Sequence, residues 1–138
     1  MKRTLFLLAF SLVSVLAIGQ SSEAVLRKST GAATDTVSNT GSGTLSFRAF
    51  GAPDAVAVQA VLTKVSGTTA GTVRLFASID GVNYDRINKA DSLVATNVAA
   101  QSKIFLVPSP AYNFYRVVYA GSGSHSTVLS AVALTIKK

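Results

Sequence analysis

The sequence of 138 residues has no cysteine, no tryptophan, one histidine and six carboxylates. Without cysteine there is no disulfide framework, thiol nucleophile, iron–sulfur cluster or thiolate-held zinc. A single histidine cannot build a multi-histidine metal site within one chain, and the HExxH pattern is absent. Glu23, Asp35, Asp54, Asp80, Asp85 and Asp91 are all the carboxylates there are, so acid–base chemistry has little to draw on. No cofactor and no metal is implied. With 49% hydrophobic and 14% charged residues, the chain is too apolar to be disordered throughout. Its length fits one domain.

The apolar content is concentrated at the start. Lys2 and Arg3 precede a run from Leu5 to Ile18 that is interrupted only by Ser11 and Ser14. It closes on Ala17-Ile18-Gly19, with small residues at −3 and −1 relative to a cut before Gln20, which is the grammar of a secretory signal peptide. The alternative is an uncleaved anchor, since the uncharged stretch Thr4 to Ser22 approaches the ~20 residues that span a bilayer. Contact with a membrane is expected through this segment alone. The sequence therefore predicts an exported protein of the periplasm, cell surface or medium, with residues 1–19 removed. Loss of Lys2 and Arg3 leaves eleven basic against six acidic residues, a net charge of +5. The basic residues of the remainder are scattered, with Arg27-Lys28 and Lys137-Lys138 the only adjacent pairs. No basic stripe interleaved with aromatics is visible along the chain, so nucleic acid is not an expected partner.

Residues 20–43 are rich in Ser, Thr, Gly and Ala and read as a flexible lead-in, with one edge strand around Asp35 to Asn39. From Thr44 the hydrophobic period becomes two. Leu45, Phe47 and Ala49 alternate with Ser46, Arg48 and Phe50, and Ala52-Pro53-Asp54 then breaks the run. Val56, Val58, Ala60 and Leu62 share one face of the next segment. Val73, Leu75, Ala77 and Ile79 alternate before Asp80-Gly81, which predicts a two-residue hairpin turn into Val82 to Ile87. Lys89 to Ser102 reads as a connection. Lys103 to Val107 is a short apolar strand, Asn113 to Ala120 is strongly β-forming, and Thr127 to Lys137 puts Val128, Val132, Leu134 and Ile136 on one face. No segment has a sustained helical period. Residues 44–138 are thus expected to form a single all-β antiparallel sandwich of about seven or eight strands, jelly-roll or immunoglobulin-like.

Few residues could carry chemistry. Asp80, Asp85 and Asp91 cluster in sequence, but without EF-hand spacing, and Asp80 with Gly81 is explained by the turn. His125 lies in a Gly-Ser stretch, reads as a solvated loop histidine, and has no GxSxG elbow to serve. Tyr84, Tyr112, Phe114, Tyr115 and Tyr119 are the candidate binding residues. Displayed on a strand face or loop end, they would stack on sugar rings or form a protein interface; otherwise they are core. Phe76 shares a face with Arg74, and Phe114 with Arg116, so large apolar residues occupy both faces of those strands. That pattern is expected of a strand covered on both sides or of one meeting a partner subunit.

Two stretches resemble small β-sandwich structural proteins of tailed bacteriophages. They are Ser78-Ile79-Asp80-Gly81-Val82-Asn83-Tyr84 with Ile87, and Phe114-Tyr115-Arg116-Val117-Val118-Tyr119-Ala120-Gly121-Ser122-Gly123-Ser124, within a resemblance spanning residues 70–136. The first stretch also looks like the Asp-box turn of sialidases, a structural motif, with Asp80 and Gly81 adjacent and Tyr84 in place of its Trp. The phage resemblance implies a non-enzymatic virion-like protein that acts by self-association or attachment, with itself or other structural proteins as partner. The signal peptide departs from it, because virion parts normally assemble in the cytoplasm. The alternative is an exported module that binds an envelope component or polysaccharide through its surface aromatics.

Overall fold

The computed structural model describes residues 20–108 and 110–137, so the expected leader at 1–19 lies outside the described residues. Ten strands form among the described residues: β1 (Gln20–Val25), β2 (Thr34–Ser38), β3 (Ser42–Arg48), β4 (Ala55–Gly67), β5 (Gly71–Ser78), β6 (Asp85–Arg86), β7 (Leu93–Ala95), β8 (Ala100–Pro108), β9 (Phe114–Gly121) and β10 (His125–Lys137). All pairings are antiparallel, and the strands make two packed sheets. The first sheet runs β1-β10-β4-β8, with β2 following β1 along the same side of β10. The second runs β3-β9-β5-β6, with β7 beside β6 on the outer edge of β5.

Taking each split edge as one strand, the order is that of a jelly roll, one of the two expected arrangements. The splits explain why there are ten strands rather than seven or eight. Between β1 and β2 the chain leaves β10, bridges to the second sheet at Arg27–Ser46, and returns through Gly31 at φ 90°. Between β6 and β7 it turns at Asn88, whose carbonyl accepts from the Asp91 amide. The expected flexible lead-in at 20–43 is corrected by the same geometry. It holds β1, β2 and the first two residues of β3, because β10 is long enough for both short strands to pair along one side. The expected edge strand near Asp35 is β2. The expected connection at Lys89 to Ser102 contains β7 and the start of β8.

The core lies between the sheets. Val56, Val58, Ala60 and Leu62 of β4, with Leu129, Ala131 and Ala133 of β10, face Leu45, Val73, Leu75, Ala77, Val117 and two tyrosines. In β10 the apolar residues expected on one face do share it, but that face is not the one that meets the core. His125, Thr127, Leu129, Ala131 and Ala133 point inward, while Val128, Val132 and Leu134 point out of the sandwich. Both faces of that strand are apolar, and β4 settles the choice. Its one clean side must meet the core, and cross-strand partners Leu62–Leu129 and Ala60–Ala131 share it.

The turn after β5 also differs from expectation. Ala77 pairs with Asp85, so residues 78–84 close the loop, and only Gly81 of the Asp-Gly pair has a positive φ, 76°. Asp80 draws the loop open by collecting donors that a two-residue turn would leave unused. Its carboxylate accepts from the Ser78 hydroxyl at 2.7 Å, the Val82 and Asn83 amides at 2.8 Å each, and the Asn83 side chain at 2.7 Å. These bonds, the Ser78 hydroxyl first, hold Asp80 far below the usual carboxylate range, against a small opposing effect of desolvation. A depressed carboxylate stabilises the fold above its unfolded-state value of about 3.9 and loses that contribution as pH falls. Asp80→Asn is therefore expected to lower the melting temperature at pH 7, with the gap to the parent protein narrowing as pH drops below 4. A constant gap across that range would contradict the assignment.

Candidate functional site

The structure divides the five candidate aromatics. Tyr115 and Tyr119 are fully buried between the sheets, at 0% exposure, so they are core rather than binding residues. The correction follows from register: β9 pairs Tyr115 with Phe47 and Ala77, and Tyr119 with Val73, all inward-facing positions. Tyr112 is half-buried at the rim, edge-on to Tyr115 with ring centroids 6.5 Å apart. Tyr84 and Phe114 alone reach the outer surface of the second sheet, where both meet arginines.

Tyr115 stacks on Phe47 at 5.2 Å, but its hydroxyl has no hydrogen-bond partner among the described residues. Burial, aided by neighbouring Tyr112, pushes its ionisation up to about 12. An unfolded tyrosine ionises near 10 and the folded one near 12, so stability falls as pH rises between those values. Tyr115→Phe is expected to leave stability at pH 7 unchanged or raise it by about 1–2 kcal/mol, because an unpaired buried hydroxyl is removed. The same variant flattens alkaline unfolding between pH 10 and 12, as read by urea titration at each pH; a loss of stability at pH 7 would contradict this account.

His125 is not a solvated loop residue. It begins β10, is 4% exposed, and belongs to a buried chain of hydrogen bonds. The Tyr119 hydroxyl donates to the Ala70 carbonyl at 2.7 Å, so it accepts from His125 Nε2 at 3.3 Å. His125 Nδ1 then accepts from the Thr127 hydroxyl at 3.0 Å, and Thr127 in turn accepts from Thr69 at 3.2 Å. Both ring nitrogens and each hydroxyl have a partner, and the chain ties β9, β10 and the β4–β5 loop together. This is a structural network. Of the three clustered aspartates, Asp80 is spent on its loop, Asp91 pairs with Lys103 at 2.7 Å, and Asp85 is exposed on β6. No group of three metal-ligating side chains forms among the described residues.

What remains are two outward sheet faces of opposite character. On the first sheet, cross-strand neighbours place Val25, Val132, Gln59 and Ile104 in one row and Glu23, Leu134, Ala57 and Leu106 in the next. Ile136, Ala55 and Pro108 extend this apolar platform on one side and Val61 on the other. Ile104 is 61% exposed, Leu106 60%, Val25 44% and Leu134 39%. Glu23 is the one charged residue among the outward positions of its described strands. The platform includes β8, an edge strand.

The second sheet turns a cationic and aromatic face outward. Opposite Arg116 on β9 stand Ser46 of β3 and Phe76 of β5, and opposite Phe114 stand Arg48 and Ser78. Arg74 pairs with Val118, and Arg86 of β6 with Phe76. The Arg116 guanidinium carbon sits 3.7 Å from the Tyr84 ring centre, and that of Arg48 lies 5.1 and 5.2 Å from Phe50 and Phe114. The sequence hid this interleaving because its members are separated by up to 68 residues and only antiparallel register aligns them.

No family model and no curated protein matches the chain by sequence. Its fold is similar to several solved structures. The Yersinia pseudotuberculosis-derived mitogen matches at TM-score 0.50 and 12% identity, over 86% of both chains. The PBSX exported protein XepA matches at TM-score 0.54 and 12% identity, over 86% of this chain and 37% of that one. Tailspike protein 4 of bacteriophage CBA120, in its enzymatically active domain, matches at 0.51 and 9%, over 86% of this chain and 18% of that one. Carbohydrate-binding modules fit more loosely, at TM-scores of 0.44 and 0.46. Identities this low establish a shared sandwich. A shared fold of this kind says nothing of function.

Proposed function

We propose that the protein is an exported, non-catalytic structural β-sandwich that assembles with copies of itself through the outer face of the first sheet. The single observation that carries this reading is the platform of Val25, Ile104, Leu106, Val132 and Leu134, apolar across four strands and nearly free of charge. A contiguous apolar face of this kind marks an interaction surface in a protein that must stay soluble. Charge selects the occupant. Two copies meeting through their second sheets would oppose arginine to arginine, whereas two first sheets meet without repulsion. A self-complementary patch of this sort closes into a two-fold dimer. The expected signal-peptide cut falls before Gln20, so it would leave every described strand intact.

The test is sedimentation velocity of the exported protein over a wide concentration range. Self-association that strengthens with salt supports the reading, because burial of apolar surface is not screened while the net positive charge is. A monomer at all concentrations sinks it. The second reading, attachment to an envelope polysaccharide, keeps two of its five aromatics, Tyr84 and Phe114, and gains the arginines around them.

A further inference from the structure

We infer that the outer face of the second sheet binds an acidic polysaccharide, recognising uronate-type carboxylates through Arg48, Arg116 and Arg74. The inference rests on the attachment reading and names its ligand class; it is independent of self-association through the other sheet. The three arginines lie on β3, β9 and β5, each offset by two residues from the next, and so run diagonally across the face. Such diagonal neighbours stand roughly 7–8 Å apart. No carboxylate occupies an outward position on these three strands. Neither the Lys28–Asp35 nor the Lys103–Asp91 ion pair involves these arginines.

The aromatics argue for a polyuronate over a nucleic acid. Single-stranded nucleic acid is held by rings whose faces are free to stack on bases. Here the Tyr84 face carries the Arg116 guanidinium at 3.7 Å, and Phe114 and Phe50 flank Arg48. The rings orient guanidinium forks, which bind carboxylates in two-point fashion; Tyr84 and Phe114 are themselves half-buried, and Phe50 alone of the three is open, at 74% exposure. Beside Arg116 an open groove of about 340 Å³ runs along the β3 edge, lined by Ser42, Thr44 and Ser46 together with Ser29 and the Lys28–Asp35 pair. A hydroxyl-lined groove next to a cationic row suits a polymer that alternates hydroxyls with carboxylates. The pattern was set in the sequence by Ser42, Thr44, Ser46 and Arg48 alternating on one face of β3.

The experiment is isothermal titration of the exported protein with polygalacturonate, neutral dextran, single-stranded DNA and vesicles of anionic lipid, at low and physiological salt. The expected result is saturable, salt-weakened binding to polygalacturonate that is at least ten times tighter than to the other three. Arg48→Gln and Arg116→Gln are each expected to weaken it by about 10-fold, the loss of one charge-assisted hydrogen bond. Arg48 is exposed, so its variant reports on binding even where Arg116→Gln loosens the fold. Binding to dextran alone would preserve attachment and overturn the acidic ligand. Equal binding to DNA or to vesicles would overturn polyuronate recognition, and binding to none of the four would overturn attachment as well.

Discussion

Gly71→Ala is expected to remove about 3–5 kcal/mol of stability, enough to leave much of the protein unfolded at 37 °C. Gly71 opens β5 at φ 134°, a conformation that side chains rarely adopt. An added Cβ would lie 2.2 Å from the Ala120 carbonyl oxygen and 2.9 Å from both Gly121 Cα and the Tyr119 ring. Two of these three are backbone atoms of the neighbouring strand, so no rotamer change makes room. Separating β5 from β9 here also pulls at Ala70, whose carbonyl anchors the Tyr119–His125–Thr127 chain. Gly123→Ala is the control, because Gly123 has a φ of 81° but nothing within 4 Å of an added Cβ. It carries the backbone cost alone, about 1–2 kcal/mol. Urea denaturation of both variants checks the difference, and equal losses would show that the close approach of β5 to β9 is not the cause.

The second large effect concerns assembly. Leu106 and Leu134 lie in one row of the first sheet, separated by Ala57, and both side chains are exposed. Replacing both with lysine is expected to change the stability of a single copy little, since exposed substitutions fall within about ±0.5 kcal/mol. In a two-fold contact the same change brings four ammonium groups into an apolar interface. Like charges across an interface cost several kcal/mol, so association should weaken by 100-fold or more. Thermal unfolding of Leu106→Lys/Leu134→Lys reads the first effect and sedimentation the second. Unaltered assembly would move the interface elsewhere.

The class of fold was legible because its signals are local. Alternation in β4 and β5 marks strands whose two sides face core and surface, and Pro and Gly punctuate the runs. Side-chain direction was legible only where one side is polar. Lys103-Ile104-Phe105-Leu106-Val107 and the second half of β10 are apolar on both sides, so period two gives no direction. The same ambiguity is itself the trace of the platform, since Ile104 and Leu106 project outward while Phe105 faces the core. His125 looked solvated because Gly121 to Ser124 reads as loop. In the fold, the bend brings it against Tyr119, six residues earlier. Asp80 lies in the loop between β5 and β6, whose form depends on Ser78 and Asn83 supplying donors, which outweighed the preference of an Asp-Gly pair for a two-residue turn. The arginine row needed sheet register, which no short window of sequence contains.

The central claim, that copies meet through the first sheet, is most directly tested by placing single cysteines in a chain that has none. Gln59 stands in the platform row that begins at Val25, between Val132 and Ile104, and Val94 is an exposed position on β7 of the other sheet. With a short bismaleimide, Gln59→Cys should give a high yield of covalent dimer at concentrations where the protein associates, and Val94→Cys little. Cross-linking of Val94→Cys in preference to Gln59→Cys would contradict the account.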